Sequence, residues 1–176
     1  MILLRPLAAG LCALALAACS STPVTRFHTL RADPQGAAAS TVTKAAQPPW
    51  EVLVAVPPQV DTPQWVVQRA DGSLAVLEHD RWVSTLADEI RTALEDGLRA
   101  TPTARVAVDV RRFDARLGRE SRLEAAWTLT LPDGRRLRCE ALLVEPAAGG
   151  LVEMDAAHRA VVAALARRIG ASAGGC

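Results

Sequence analysis

Apolar and polar residues alternate with a period of two along three neighbouring stretches. Over Arg105–Phe113, Val106, Val108 and Val110 point one way while Asp109 and Arg111 point the other. Over Ser121–Leu131, one face carries Leu123, Ala125, Trp127, Leu129 and Leu131; over Arg135–Glu145 it carries Leu137, Cys139, Ala141 and Leu143. A Gly-containing turn at Asp114–Glu120 joins the first pair. Pro132-Asp133-Gly134 joins the second, and suits a type I turn followed by a glycine bulge. These three stretches predict an antiparallel meander.

A period near four marks two helices. Leu86, Ile90, Leu94 and Leu98 form a stripe within Val83–Arg99, with Asp88, Glu89, Arg91, Glu95 and Asp96 on the wet side. Ser84 or Thr85 caps its start, and Thr85 with Asp88 has capping-box spacing. Met154, Ala157, Val161, Leu165 and Ile169 form the stripe of Glu153–Ile169, which Gly170 ends.

Before the first helix, Trp50–Val56 reads as a strand that Pro57-Pro58 terminates, since proline offers no ladder donor. Gln59–Pro63 is then a loop. Gln64–Gln68 and Ser73–Glu78 flank Asp71-Gly72, which signals a hairpin with a type I′ turn. Glu78-His79-Asp80-Arg81-Trp82 reads as a polar lead into the helix. The order of strands, helix, three strands and helix predicts an α+β fold: a two-layer sandwich with a mostly antiparallel sheet and two helices packed on it.

The N-terminal end is different. An apolar run containing only Arg5 as a charge ends in Leu16-Ala17-Ala18-Cys19. This has the layout of a secretory leader, and its apolar part is too short to span a bilayer of roughly 30 Å comfortably. The four residues resemble a bacterial lipobox. The resemblance implies cleavage after residues 1–18 and lipid on Cys19, and Ser20 at the next position favours the outer membrane. Residues 19–49 then read as a lipidated tether, broken by a candidate strand at 26–30. Residues 50–170 form one periplasmic domain, and 171–176 a pliable tail.

Composition narrows the function classes. Losing Arg5 with the leader takes the formal charge from +1 to 0, leaving no basic excess for nucleic acid. Of four cysteines, Cys12 leaves with the leader and Cys19 carries lipid. Cys139 and Cys176 remain in an oxidising compartment, either paired or as a buried and a free thiol. Their spacing is not that of a metal site. His28, His79 and His158 have no second histidine at ligand spacing. No nucleophile elbow or phosphate-binding glycine loop is present. Adjacent Glu78, His79 and Asp80 would point to alternate faces of a strand, which does not build one catalytic centre. The expectation is no catalytic residue, no metal and no cofactor beyond the lipid on Cys19. Trp65 and Trp82 flank the hairpin, as interface anchors or as core at the sheet edge.

The chain resembles the ABC-type transport auxiliary lipoproteins, the PqiC/YmbA-like group. The residues carrying this are Cys19, Arg26-Phe27-His28-Thr29-Leu30, Val56-Pro57, Val60-Asp61-Thr62-Pro63-Gln64-Trp65-Val66-Val67 and Asp80-Arg81-Trp82 with Leu86. Val106–Val110, Phe113-Asp114 and Leu123-Glu124-Ala125-Ala126-Trp127 continue the match. Thr62 stands where the family often has Arg, and Phe27 and His28 where it often has Tyr. The resemblance implies a lipid-anchored protein on the periplasmic face of the outer membrane. Its partners would be an MCE-domain protein and inner-membrane transporter subunits of a lipid transport system, with homo-oligomers and phospholipid as further expected partners. Pro57, Pro58, Asp61, Pro63, Trp65, Arg81 and Trp82 are the expected contact surface. The alternative is a structural lipoprotein that regulates a cell-wall or envelope enzyme by contact.

Overall fold

The computed structural model describes residues 23–31, 50–99 and 104–176. The leader, Cys19 and most of the expected tether lie outside the described residues. Among the described residues, seven strands and two α-helices follow in order: β1 (Arg26–His28), β2 (Glu51–Ala55), β3 (Gln64–Gln68), β4 (Leu74–Trp82), α1 (Leu86–Leu98), β5 (Arg105–Arg116), β6 (Glu120–Thr130), β7 (Arg136–Pro146) and α2 (Leu151–Ala171). They build the α+β fold expected from the periodicities, as an open mixed sheet with both helices packed against one face.

The sheet runs β1-β4-β3-β5-β6-β7, with β2 also beside β5. The meander β5-β6-β7 is antiparallel, as alternation predicts. Its first turn is tighter than expected, because β5 continues to Arg116 and β6 begins at Glu120. The register of β5 on β6 shifts between Val110 and Arg112, a bulge that lets the inward face resume at Phe113. Three pairings are parallel: β1 with β4, β2 with β5, and the end of β3 with the end of β5.

Both hairpin turns take the same form. The Arg69 and Leu131 carbonyls accept from the Gly72 and Gly134 N–H groups, and these glycines have φ of 86° and 85°. Asp71 has negative φ, so its hairpin is a type I turn with a glycine bulge rather than the expected type I′. Strand β4 also extends past the expected Glu78. Pairing with β1 carries it through His79, Asp80 and Arg81 to Trp82, so the polar lead into the helix is strand.

Helix α1 begins at Leu86, with Thr85 as its cap accepting from the Asp88 N–H at 3.2 Å. The core joins the inward faces of β2, β5 and β6 to the stripes of α1 and α2, including Val106, Leu123, Ile90, Leu94, Val161 and Leu165. The C-terminal segment folds back instead of trailing as a tail. Trp127 Nε1 donates to Ser172 Oγ at 3.2 Å, and a disulfide joins Cys176 to Cys139, with Cα atoms 5.6 Å apart.

Candidate functional site

The expected tether contains the first unexpected piece of chemistry. Alternation places Arg26 and His28 on one side of β1, and parallel pairing sets them against the end of β4. Arg26 grips Asp80 with two bonds, Nε to Oδ1 at 2.7 Å and Nη2 to Oδ2 at 2.8 Å. His28 Nε2 lies 3.0 Å from the same Oδ1, and His28 Nδ1 lies 3.3 Å from Asp155 Oδ1 on α2. Asp155 is held in turn by Arg159 one turn along the helix. Asp80 is 3% exposed, and the Arg26 guanidinium holds its carboxyl below the usual carboxylate range, with His28 adding to the effect.

A second carboxylate holds the next residues. Glu89, expected on the wet side of α1, is 5% exposed. Its Oε2 accepts from Thr29 Oγ1 at 2.7 Å and from the Leu30 N–H at 3.0 Å. Its Oε1 accepts from the Ser84 hydroxyl at 2.6 Å and the Ser84 N–H at 3.2 Å. Four donors therefore repay the burial of one charge. Arg31 adds an exposed ion pair to Asp96 at 3.2 Å. Residues 26–31 are thus part of the body, riveted at Asp80 and Glu89.

Beneath the rivets lies an aromatic layer. His28 stacks at a tilt on Trp65, ring centres 4.2 Å apart, and Trp65 meets Trp82 at 5.0 Å. His158 lies edge-on to Trp65 at 5.2 Å and stacked on Phe113 at 4.5 Å. Its Nδ1 shares a 2.7 Å hydrogen bond with Ser121 Oγ. Burial, with the His28 charge adding to it, pushes the His158 pKa down to about 3, so the ring is neutral. A hydroxyl beside an imidazole is the start of a nucleophilic centre. Here Ser121 is 0% and His158 2% exposed, so substrate cannot reach the pair in the folded state.

The expected contact residues separate into two groups. Pro58, Asp61 and Pro63 are exposed, while Pro57 and Arg81 are half-buried. The Pro57 carbonyl accepts from the Val60 and Asp61 N–H groups, and the Pro63 carbonyl from the Trp82 N–H at 2.8 Å. The loop is therefore a turn tied to the end of β4, with Arg81 paired beside Gln64. Trp65 and Trp82, at 1% and 5% exposed, lie in the core and offer no ring to a partner. Alternation explains this, because each Trp shares a sheet face with Val67 or Asp80, which are also buried.

The histidines do not converge on a metal. Among the described residues no group of three His, Cys, Asp or Glu side chains could hold one. Nor is any described helix long and apolar enough to cross a membrane. His79, expected in a loop, is an exposed residue of β4.

Sequence reasoning missed Asp80, Glu89 and His158 as organising groups. The available signal was the spacing Arg26-x-His28, which puts a guanidinium and an imidazole on one strand face and calls for a carboxylate opposite.

Comparison with known proteins agrees with this architecture. A crystal structure of an uncharacterized protein superposes with a TM-score of 0.67 at 17% identity, covering 86% of this chain and 99% of its own. A protein from Xanthomonas campestris assigned to DUF330 superposes with a TM-score of 0.55 at 19% identity, covering 85% and 92%. At these identities the likeness speaks for the fold. No curated protein matches the chain. Residues 28–170, from His28 of the riveted strand almost to the end of α2, match the pattern of one family, and by that match the chain belongs to the ABC-type transport auxiliary lipoprotein component family.

Proposed function

We propose that this protein is a non-enzymatic accessory of an envelope lipid transport system. It is anchored through lipid on Cys19 to the periplasmic face of the outer membrane, where it docks an MCE-domain assembly reaching from the inner-membrane transporter. Family membership supplies the association with ABC-type transport and calls for no cofactor. The observation carrying the docking reading is the riveting of β1. The chain enters the folded body at Arg26, so Cys19 is separated from it by a stretch that spans at most about 25 Å when fully extended. Two acyl chains, at about 0.8 kcal/mol per buried CH₂, hold such a body stably at a bilayer. A body on so short a leash is suited to receiving a partner at the membrane.

With both tryptophans in the core, the docking surface falls to Pro57, Pro58, Asp61, Pro63 and Arg81. A photo-crosslinking residue at Asp61 or Arg81 is expected to capture an MCE-domain protein in intact cells, while one at Arg136 on the far sheet edge is not. Capture only of cell-wall enzymes would favour the regulatory alternative. Equal capture from Asp61 and Arg136 would remove the loop from the account.

A further inference from the structure

Strand β5 changes neighbours partway along its length. It pairs with β2 up to Asp109 and with β3 only from Ala115, so between these points no strand of the described residues lies beside it on that side. The loop after β2 passes here, and the β5 bulge falls at the same place. The result is a hollow of about 370 Å³ on the sheet face away from the helices. Bulges and interrupted pairings of this sort re-aim side chains.

The charged side chains that line the hollow are mostly of one kind. Arg111, Arg112 and Arg116 come from β5 and Arg122 from β6, against a single acid, Asp114. The opposite wall is apolar, formed by Val60, Val66 and Leu74, the last 64% exposed. The arginines are only partly neutralised. Arg116 donates to Gln68 and Glu120 at 2.9 Å each, and Arg111 to Glu140 at 3.2 Å. Arg112 lies 3.7 Å from Asp114, and Arg122 Nη2 lies 3.4 Å from Glu120. Glu124 stands opposite Arg112 across the β5–β6 pair. Arg122 Nε is buried with no hydrogen-bond partner among the described residues. A buried donor without an acceptor is costly, and a guanidinium fork matches the oxygens of a phosphate. Burial also raises the Asp114 pKa.

We infer that this hollow binds a phosphate or phosphate-ester anion, which the arginines of β5 and β6 hold through its oxygens. The apolar wall on the hairpin side then decides the source of the phosphate, because a lipid headgroup brings an acyl chain to cover Val66 and Leu74 and a free anion does not. The site is distinct from the docking residues, sharing only Pro57 with them, and it stands whether or not a protein docks at that loop.

The test is a titration of the full chain in neutral detergent, read from the arginine Nε–Hε resonances. The probes are inorganic phosphate, dihexanoyl phosphatidic acid and the matching diacylglycerol without phosphate. Saturable shifts at Arg122 and Arg116 are expected with both phosphates and not with the diacylglycerol. Affinity at least tenfold higher for the phosphatidic acid identifies a lipid headgroup, and equal affinity identifies a free anion. Arg112→Gln with Arg122→Gln is expected to weaken binding at least tenfold. Should the pair fail to fold, Arg112→Gln alone serves, since its side chain is 49% exposed. No saturable shift with either phosphate would overturn the inference. So would affinity unchanged in the folded variant, or saturation by an acidic peptide alone.

Discussion

Asp80 and His158 carry opposite electrostatic burdens in neighbouring positions, and both make the protein sensitive to acid. Asp80 is held ionised by Arg26, so its contribution is present above the ordinary carboxylate range and is lost as pH falls through its lowered folded pKa. His158 is held neutral by burial. Its folded pKa of about 3 lies below the ordinary value of 6.5, so the unfolded chain takes up a proton that the folded chain refuses. Stability from this residue is complete above pH 6.5 and declines towards pH 3, by about 2 kcal/mol at pH 5. Urea unfolding at pH 7 and pH 5 measures the decline, and His158→Gln is expected to flatten it. Asp80→Asn leaves Arg26 and His28 without their charge partner and is expected to cost about 1–3 kcal/mol. Faster amide hydrogen exchange over residues 26–31 would show that the loss is local to β1. Exchange unchanged there would mean that the ion pair does not hold the strand.

At the scale of elements, two helices and one short strand depend on close fits. Gly97 of α1 faces Ala166 of α2 so closely that a Cβ on Gly97 would lie 2.7 Å from the Ala166 Cβ. Gly97→Ala would gain about 1 kcal/mol of helix propensity. The overlap is expected to outweigh that gain and destabilise the protein by about 1–3 kcal/mol, with Ala166→Gly restoring part of the loss. Thermal unfolding of the single and double variants decides the point. Glu89→Ala strips the acceptor from Leu30 N–H, Ser84 N–H and two hydroxyls, with an expected loss of about 2–3 kcal/mol measured by the same means.

The elements differ in how far the sequence announced them. Strands β5, β6 and β7 and both helical stripes were legible because each buries one face of a regular period, so local order carries the whole signal. Strand β1 was legible only as a candidate at 26–30 and the second half of β4 not at all, because neither has an apolar period. They are strands because Asp80 meets Arg26 and His28, partners more than fifty positions away. Glu89 was misplaced for a related reason, since its donors Thr29 and Leu30 arrive from beyond the helix. Within the candidate site, alternation settles the burial of Trp65 and Trp82 once the strand limits are known. The arginine hollow depends on where β2 stops and β3 starts beside β5, which no local pattern encodes.

The whole molecule is fastened at both ends of the described chain. The disulfide from Cys139 to Cys176 closes a loop of 37 residues, for which chain entropy allows up to about 4 kcal/mol of stabilisation. Cys139→Ser with Cys176→Ser is expected to lower the denaturation midpoint while leaving the sheet intact. The N-terminal end is fastened by β1, and in the functional account proposed above, with lipid on Cys19, that fastening holds the body close to the bilayer. The most direct test of that account is affinity purification of the protein from gently solubilised envelopes, with mass spectrometry of the proteins and lipids that accompany it. The account predicts an MCE-domain protein and its permease, enriched over a Cys19→Ala control. Recovery of cell-wall enzymes alone, with no such partner and no enriched lipid, would contradict it.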